Sequence, residues 1–344
     1  IGGQSDLWAI KTNNRGLMQW NKKFGGSAGE AGYDVISTSD GCFLFVGYTW
    51  SFGNRQQVYA IKTDYNGNVL WERTYGGLMW EVGNAVIEVN SGGYVIAGYS
   101  NSPGISSGNT DMYLIKIDNN GEIIWEKAYG NQAFPNHEWA YDLIQANNED
   151  IIIVGSRDRY DNGSLNGLIY HIDRNGIIIW EKEILGDNQI SESIYSISQS
   201  EIENENYFLC SGLNSTGSED LYNPAIIKMD GFGNIDWQRT FKTNSQIHHQ
   251  FRATSSITGG AVVAGSSTNL LSSGAKDDAF MIKVDNSGNI IWSNAYGSVD
   301  ENDWGWSIFE TPKNNLVLVG STKSFGSSLF DIYLVGANAD GISD

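Results

Sequence analysis

The sequence predicts an all-β fold, a β-propeller of four-stranded antiparallel blades, and three observations carry that prediction. A segment of the form D-x-Y-x-I-K-x-D-x-x-G-x-x-x-W recurs, ending at Trp20, Trp71, Trp125, Trp180, Trp237 and Trp292 with spacings of 51, 54, 55, 57 and 55 residues. A second hairpin pattern lies between these segments, as in YDVISTSDGCFLFVGYT and NAVIEVNSGGYVIAGYS, where alternating apolar residues flank a turn rich in Gly, Asn and Asp. No helical period competes, whereas solenoid repeats of similar length are helical.

Each period therefore holds four strands, a to d, such as a at 33–38, b at 43–48, c at 58–63 and d at 69–75. The D-x-x-G turn between c and d follows from side-chain chemistry. Asp or Asn opens the turn by bonding the backbone ahead of it, and Gly takes the positive φ. Calcium loops need several oxygens spaced by two, which Asp118, Asn119, Asn120 and Gly121 do not supply. The Trp four residues after each Gly lies on strand d, where its ring can bury about 150–250 Å² against the next blade. Trp20, Trp71, Trp125, Trp180, Trp237 and Trp292 are thus the expected blade-docking residues.

Counting gives six a, six b, seven c and six d strands, because a further copy, DIYLVGANADGISD, ends at Asp344. The expectation is one propeller domain over 1–344, six blades with seven as the alternative. The blades fall at about 26–77, 78–131, 132–186, 187–243, 244–298, and 299–344 joined to 1–25. In that scheme strands near 306–337 pair with the strand at 17–24 and so close the last blade from both termini. The surplus c strand is then an edge, a site of self-assembly through the terminal strands, or the mark of a longer protein. The start at Ile1, without Met or an apolar signal core, reads as a processed or trimmed chain.

The repeats resemble those of the tryptophan-docking propellers named from quinoprotein dehydrogenases. Their motif A-x-D-x-x-T-G-x-x-x-W matches TDYNGNVLW and VDNSGNIIW without its Thr. The full period is still more similar to the G-G-Y-x-x-x-G-Y-T…D-x-Y-L-I-K-x-D-x-x-G-N-x-x-W-x-x-x-Y-G-G repeats of uncharacterised secreted bacterial and archaeal propellers. The resemblance spans nearly the whole chain and implies blade-to-blade docking and a fold, not an activity.

Composition narrows function. Forty acidic against 21 basic side chains give a net charge of −19, which disfavours nucleic acids and anionic membranes, and no window is apolar enough for a spanning helix. The acidic, Gly- and Asn-rich chain suits an extracellular or cell-surface location, and a large core removes the need for a disulfide. Cys42 and Cys210 fall on b strands three blades apart, too distant to bridge, and read as buried thiols.

The b-to-c segments, among them TWSFGNRQ, SNSPGISSGNT and SRDRYDNGSLN, are long and differ between blades, whereas the a-to-b and c-to-d turns are tight. Variable loops on a rigid scaffold are where binding concentrates, so the face carrying the b-to-c and d-to-a connections is the expected working face. There, just before strand a, stand Glu30, Glu81, Glu138, Glu192, His248 and Asp303. A ring of carboxylates Glu30, Glu81, Glu138, Glu192 and Asp303 would attract a hard cation such as calcium. The structural alternative is that each accepts backbone N–H bonds at a blade junction. Beside them stand Trp80, Trp139 and Trp304, and aromatic faces next to carboxylates are what a sugar site needs. Trp306 shares the position of Tyr33 and Tyr141 and is expected to pack between blades.

Support for catalysis is thin. The quinoprotein cysteine pair is missing, the sialidase box has different spacing, and 8 Arg offer no evident three-arginine cluster. His248 and His249 break the repeat without a third metal ligand in view. The expected function is a non-catalytic propeller without a cofactor that binds a glycan or a protein, with Trp80, Glu81, Glu138, Trp139, His248, Asp303 and Trp304 as candidate ligand-binding residues. The alternatives are a carbohydrate-active hydrolase or lyase, and a structural subunit of a surface assembly.

Overall fold

The computed structural model describes residues 5–53, 55–106, 109–130, 136–146, 148–158, 165–184, 191–200, 202, 206–214, 222–241, 251–268, 276–326 and 330–343, with backbone alone at 191–192, 206, 208–214 and 222–223. Every regular element among them is a strand. β1 (Leu7–Thr12) and β2 (Met18–Phe24) form a two-stranded sheet. The first complete blade is β3 (Glu30–Ser37), β4 (Phe43–Thr49), β5 (Gln57–Thr63) and β6 (Val69–Tyr75). The second is β7 (Glu81–Glu88), β8 (Tyr94–Ser100), β9 (Asp111–Ile117) and β10 (Ile123–Tyr129). The third is β11 (His137–Gln145), β12 (Ile151–Asp158), β13 (Leu165–Ile172) and β14 (Ile178–Ile184). The fourth is β15 (Ser191–Gln199), β16 (Asn206–Asn214), β17 (Tyr222–Asp230) and β18 (Ile235–Thr240). The fifth is β19 (Arg252–Ser255), β20 (Ala261–Thr268), β21 (Asp277–Val284) and β22 (Ile290–Tyr296). β23 (Asp303–Glu310), β24 (Leu316–Thr322) and β25 (Asp331–Ala337) make a three-stranded sheet.

The propeller therefore has five complete four-stranded antiparallel blades among the described residues, not six or seven, and the terminal strands do not close a common blade. The reason is local. β1 pairs along β2 from Leu7↔Phe24 to Lys11↔Trp20 through a tight turn at Asn13–Gly16. The edge of β2 that the C-terminal strands would need is thus already taken by its neighbour in sequence, and a short loop closes at far lower entropic cost than one spanning the chain.

By backbone proximity the chain divides into two compact units, Ile1–Ser164 with Ile169–Glu181 and Leu165–Leu168 with Lys182–Asp344. In the first, strands b and c of each blade are buried on both sides, which explains their near-continuous apolar runs. Along β5, Val58 and Ala60 pack with Val86, Tyr94 and Ile96 of the next blade, while Tyr59 and Ile61 pack with Leu7, Ala9 and Phe24 of the preceding sheet. The second unit repeats this, with Val262, Ala264, Ala279 and Met281 against Ile308, Leu316, Leu318 and Val335. Cys42 is half-buried and free rather than buried, since it sits beside the a-to-b turn, and burial pushes its thiol pKa up.

Neighbouring sheets are held by the strand-d tryptophans. Trp20 Nε1 donates to the Tyr65 carbonyl at 3.2 Å, Trp71 to Asn119 at 3.0 Å, Trp237 to Asn286 at 2.9 Å and Trp292 to Ala339 at 3.0 Å. Each acceptor lies in the next sheet's c-to-d turn, where Gly121 adopts φ +82° and a Cβ would come within 3.2 Å of the Trp71 ring. Gly is thus required there for its backbone angle and for the ring above it. Asp118 Oδ1 sets this turn by accepting from Asn120 N and Glu122 N. Four residues beyond Trp71, Trp125 and Trp292 a tyrosine docks likewise, Tyr75 on the Gly121 carbonyl at 2.8 Å, Tyr129 on Gly176 at 2.9 Å and Tyr296 on Gly341 at 2.6 Å, whereas Phe24, Ile184 and Phe241 hold that place in the other copies. Two copies depart from the pattern. Trp125 Nε1 is buried without a hydrogen-bond partner, and Lys127 Nζ donates to the Asn175 carbonyl at 2.6 Å and the Gly176 carbonyl at 3.0 Å. Trp180 lies edge-on against His171 at 5.2 Å.

Replacing Trp71→Ala removes a ring and a cross-blade hydrogen bond, and is expected to cost on the order of 3 kcal/mol in denaturant unfolding. Trp71→Phe keeps the packing and is expected to cost about 1 kcal/mol. Equal losses for the two variants would show that the ring contributes little.

Candidate binding face

Strand a opens on a carboxylate in several sheets, and the structure buries it. Glu30 Oε2 accepts from Gly26 N at 3.1 Å and its Oε1 from the Thr49 hydroxyl at 2.7 Å. Glu81 accepts from Gly77 N at 3.1 Å, Gln57 Nε2 at 2.8 Å, Ser100 Oγ at 2.9 Å and Ser102 Oγ. Asp303 accepts from Ser298 N at 2.9 Å and from the hydroxyls of Thr322 and Ser324. The repeated geometry ties the d-to-a connection to the end of strand b, so these carboxylates act as staples. Among the described residues no group of three or more His, Cys, Asp or Glu could hold a metal. Glu192 lies on β15 with only its backbone described, and His248 and His249 lie outside the described residues.

Glu138 departs from the pattern because Arg157 stands where the other blades carry Thr49, Ser100 or Thr322. Arg157 Nε donates to Glu138 Oε1 at 2.8 Å and its Nη2 to the Tyr170 hydroxyl at 2.8 Å, while Nη1 lies 3.6 Å from Glu181 Oε1. Glu138 Oε2 is buried with no partner. Burial pushes the Glu138 carboxyl up to about 7, against the pull of Arg157 and with Asp111 and Glu181 adding to the rise.

The aromatic residues form a regular arrangement. One cross-strand pair between a and b carries a large ring in four sheets, as Ala31↔Tyr48, Val82↔Tyr99, Trp139↔Ser156 and Trp304↔Ser321. The ring changes strand but keeps its level. Two residues further along, strand a bulges and projects an extra residue, Tyr33, Asn84, Tyr141 and Trp306 respectively. The bulge explains the Gly of each V-G-Y-T-like segment. A Cβ on Gly47 would lie 1.9 Å from the Ala31 carbonyl oxygen, and one on Gly98 1.8 Å from that of Val82.

In the first unit Tyr33 and Tyr48 have ring centroids 5.9 Å apart, and the Ser156 hydroxyl donates to Tyr141 Oη at 3.1 Å. Burial and the neighbouring phenols of Tyr48 and Tyr99 push Tyr33 up to about 12. Tyr99 is likewise raised, by burial and by Tyr141 and Tyr48. In the second unit Trp306, 38 % exposed rather than packed away, meets Trp304 edge-on at 5.9 Å and donates to Ser321 Oγ at 3.0 Å. Its place on a bulge turns it out of the stack.

The three indoles singled out by sequence differ. Trp80 is 42 % exposed, with its backbone fixed by Asn101 and the Arg55 guanidinium 6.0 Å from its ring centroid. Trp139 is half-buried and lies nearly parallel to the His137 ring at 5.7 Å. Trp304 donates to Asp277 Oδ2 at 2.8 Å and stacks on Phe330 at 4.3 Å. The b-strand tyrosines Tyr48 and Tyr99 were missed by sequence reasoning, although G-Y at the end of two b strands signals them. Tyr33 and Tyr141 are signalled by their place three residues after a strand-opening Glu.

No protein-family model matches the sequence, and no curated protein is similar to it in sequence. Solved structures resemble it in fold. The GH93 α-L-arabinofuranosidase of Fusarium graminearum, in a complex with arabinobiose, superposes with a TM-score of 0.56 at 12 % identity, over 88 % of this chain and 91 % of that one. A protein of unknown function from Dyadobacter fermentans gives 0.55 at 11 %, over 90 % and 94 %. The Pyrococcus horikoshii acylaminoacyl peptidase gives 0.52 at 11 %, over 98 % of this chain and 47 % of that one. At these identities the likeness is one of fold.

The raised Glu138 has a sign that can be worked out. The folded state holds its proton up to about pH 7 while the unfolded chain releases it near the ordinary carboxylate value. Stability is therefore expected to fall as pH rises from about 4.5 to 7 and then to level off. Thermal melts at pH 5.5 and 8.0 should show this fall in the wild type and a smaller one in Glu138→Gln. An undiminished fall in the variant would assign the dependence elsewhere.

Proposed function

We propose that this chain is a non-catalytic binding propeller, exposed outside the cell, that holds a glycan on the face carrying its b-to-c and d-to-a connections. The observation that carries the reading is Trp80, a half-exposed indole with Arg55 over it, directly beside the stapled Glu81. An exposed ring offers its face to sugar C–H groups, and the neighbouring guanidinium offers N–H donors to hydroxyls. The carboxylates that open the a strands support binding over hydrolysis. A glycosidase needs two reachable carboxyl groups about 5–9.5 Å apart. Glu30, Glu81 and Asp303 are buried, and both oxygens of each accept hydrogen bonds. The acidic composition and the absence of any need for a disulfide support the extracellular location.

A second reading, a carbohydrate-active hydrolase, is favoured by one observation. Glu138 has an unpartnered oxygen and a carboxyl raised to about 7, the property of a general acid, in a fold shared with an α-L-arabinofuranosidase. Its burial counts against contact with substrate.

A glycan array probed with the wild type and with Trp80→Ala separates the readings. The expected outcome is wild-type binding that falls at least about tenfold in Trp80→Ala, with the melting temperature unchanged. Turnover of a bound glycan that Glu138→Gln abolishes would establish the hydrolase instead. Wild-type protein that binds no glycan would leave a protein ligand.

A further inference from the structure

We propose that the tyrosines on the a-strand bulges and the rings of the a–b pairs next to them in the first unit form a wall that binds a neutral oligosaccharide along its length. The inference rests on the glycan reading above and names the ligand class and its subsites.

Three features carry it. The wall repeats at one level over consecutive blades. Tyr48, Tyr99 and Trp139 occupy the same a–b pair in the first three complete blades, and Tyr33 and Tyr141 stand two residues further along strand a on bulges. The a strands of these blades are direct neighbours, since Val86 N donates to Asp34 Oδ2 at 2.9 Å and Asn84 Nδ2 to the Ala140 carbonyl at 2.7 Å. Sheets stacked face to face lie about 10 Å apart, so three blades span on the order of 20 Å, which suits several linked sugars rather than one.

The bulge does not itself require a large ring. The second blade places Asn84 there and uses it to reach the next a strand. Where the residue is Tyr33 the ring is left 49 % exposed beside Tyr48, and burying aromatic surface is worth more to a fold than leaving it in water. A repeat that tolerates Asn at this position spends no stability by placing tyrosine there for a ligand.

The wall is also uncharged. Tyr33, Tyr48, Tyr99, Tyr141 and Asn84 carry rings, hydroxyls and one amide, and the adjacent carboxylates are engaged by backbone. Asp34 accepts from Val35 N at 2.8 Å and from Val86 N, and Asp142 from Leu143 N at 2.9 Å. Phenol rings and hydroxyls complement the C–H faces and hydroxyls of a neutral sugar chain, while a net charge of −19 repels acidic glycans.

The test is isothermal titration of neutral cello-, xylo-, malto- and arabino-hexaoses and the corresponding disaccharides, with hexagalacturonate as the charged counterpart. The proteins are the wild type, Trp80→Ala, Tyr33→Asn and Tyr141→Asn. Asn is the residue that the second blade already carries at the bulge, so these variants are expected to fold, which thermal melts check. Tyr33→Phe keeps the ring if Tyr33→Asn melts early. The expected result is a neutral hexaose that binds at least about tenfold tighter than its disaccharide and loses about tenfold in each Tyr→Asn variant. Hexaose binding that Trp80→Ala weakens but the tyrosine variants leave unchanged would overturn the wall and keep the glycan face. Tighter binding of hexagalacturonate would overturn the neutral ligand, and no binding of any saccharide would overturn both.

Discussion

The contact on which the repeat depends is an indole ring laid over the c-to-d turn of the next sheet. It unites three demands at one place. The turn needs Gly for its positive φ, the ring needs a surface without a Cβ, and the turn carbonyl needs a donor, which the indole N–H supplies. The ring and the turn of each such contact belong to adjacent sheets, and four copies, Trp20, Trp71, Trp237 and Trp292, make the bond. Where a tyrosine follows four residues on, as at Tyr75, Tyr129 and Tyr296, it fastens the same turn by its hydroxyl.

In the sheets that Glu30, Glu81 and Asp303 open, a second staple, this carboxylate at the start of strand a, joins the incoming connection to the end of strand b. A buried carboxylate survives only where its charge is met by donors, and backbone N–H groups with Ser and Thr hydroxyls supply them in Glu30, Glu81 and Asp303. Glu138 pays the desolvation cost against a single arginine, and one of its oxygens goes unmet. The third blade is thus where the repeat is chemically least regular and where protonation couples to folding.

Between these staples the a strand bulges, and the bulge turns side chains of one pleat out of the blade stack. That device separates the aromatic residues that hold the molecule together from those that face outward. Trp20 and Trp71 sit on neighbouring turns, whereas Tyr33 and Trp306 are exposed. Trp80, placed one residue before the staple, is held by its backbone rather than its ring, which leaves the indole face open.

The four-strand period, the strand positions and the tight D-x-x-G turn were legible in the sequence, because each follows from near-neighbour chemistry repeated at a fixed spacing. The count of complete blades was not. Counting strands cannot reveal that β1 claims the edge of β2, since that depends on which of two equally good partners lies closer along the chain. Nor could the pattern separate Glu81 as a ligand from Glu81 as a staple, because the hydroxyls of Ser100 and Ser102 and the amide of Gln57 come to it from positions 19 to 24 residues away. By itself the sequence determined the repeat and its turns, which are matters of local propensity and spacing. Only tertiary structure decided which polar groups are engaged inside the fold and which rings stay exposed, because burial and hydrogen-bond satisfaction belong to the packed neighbours of a residue and not to the residue itself.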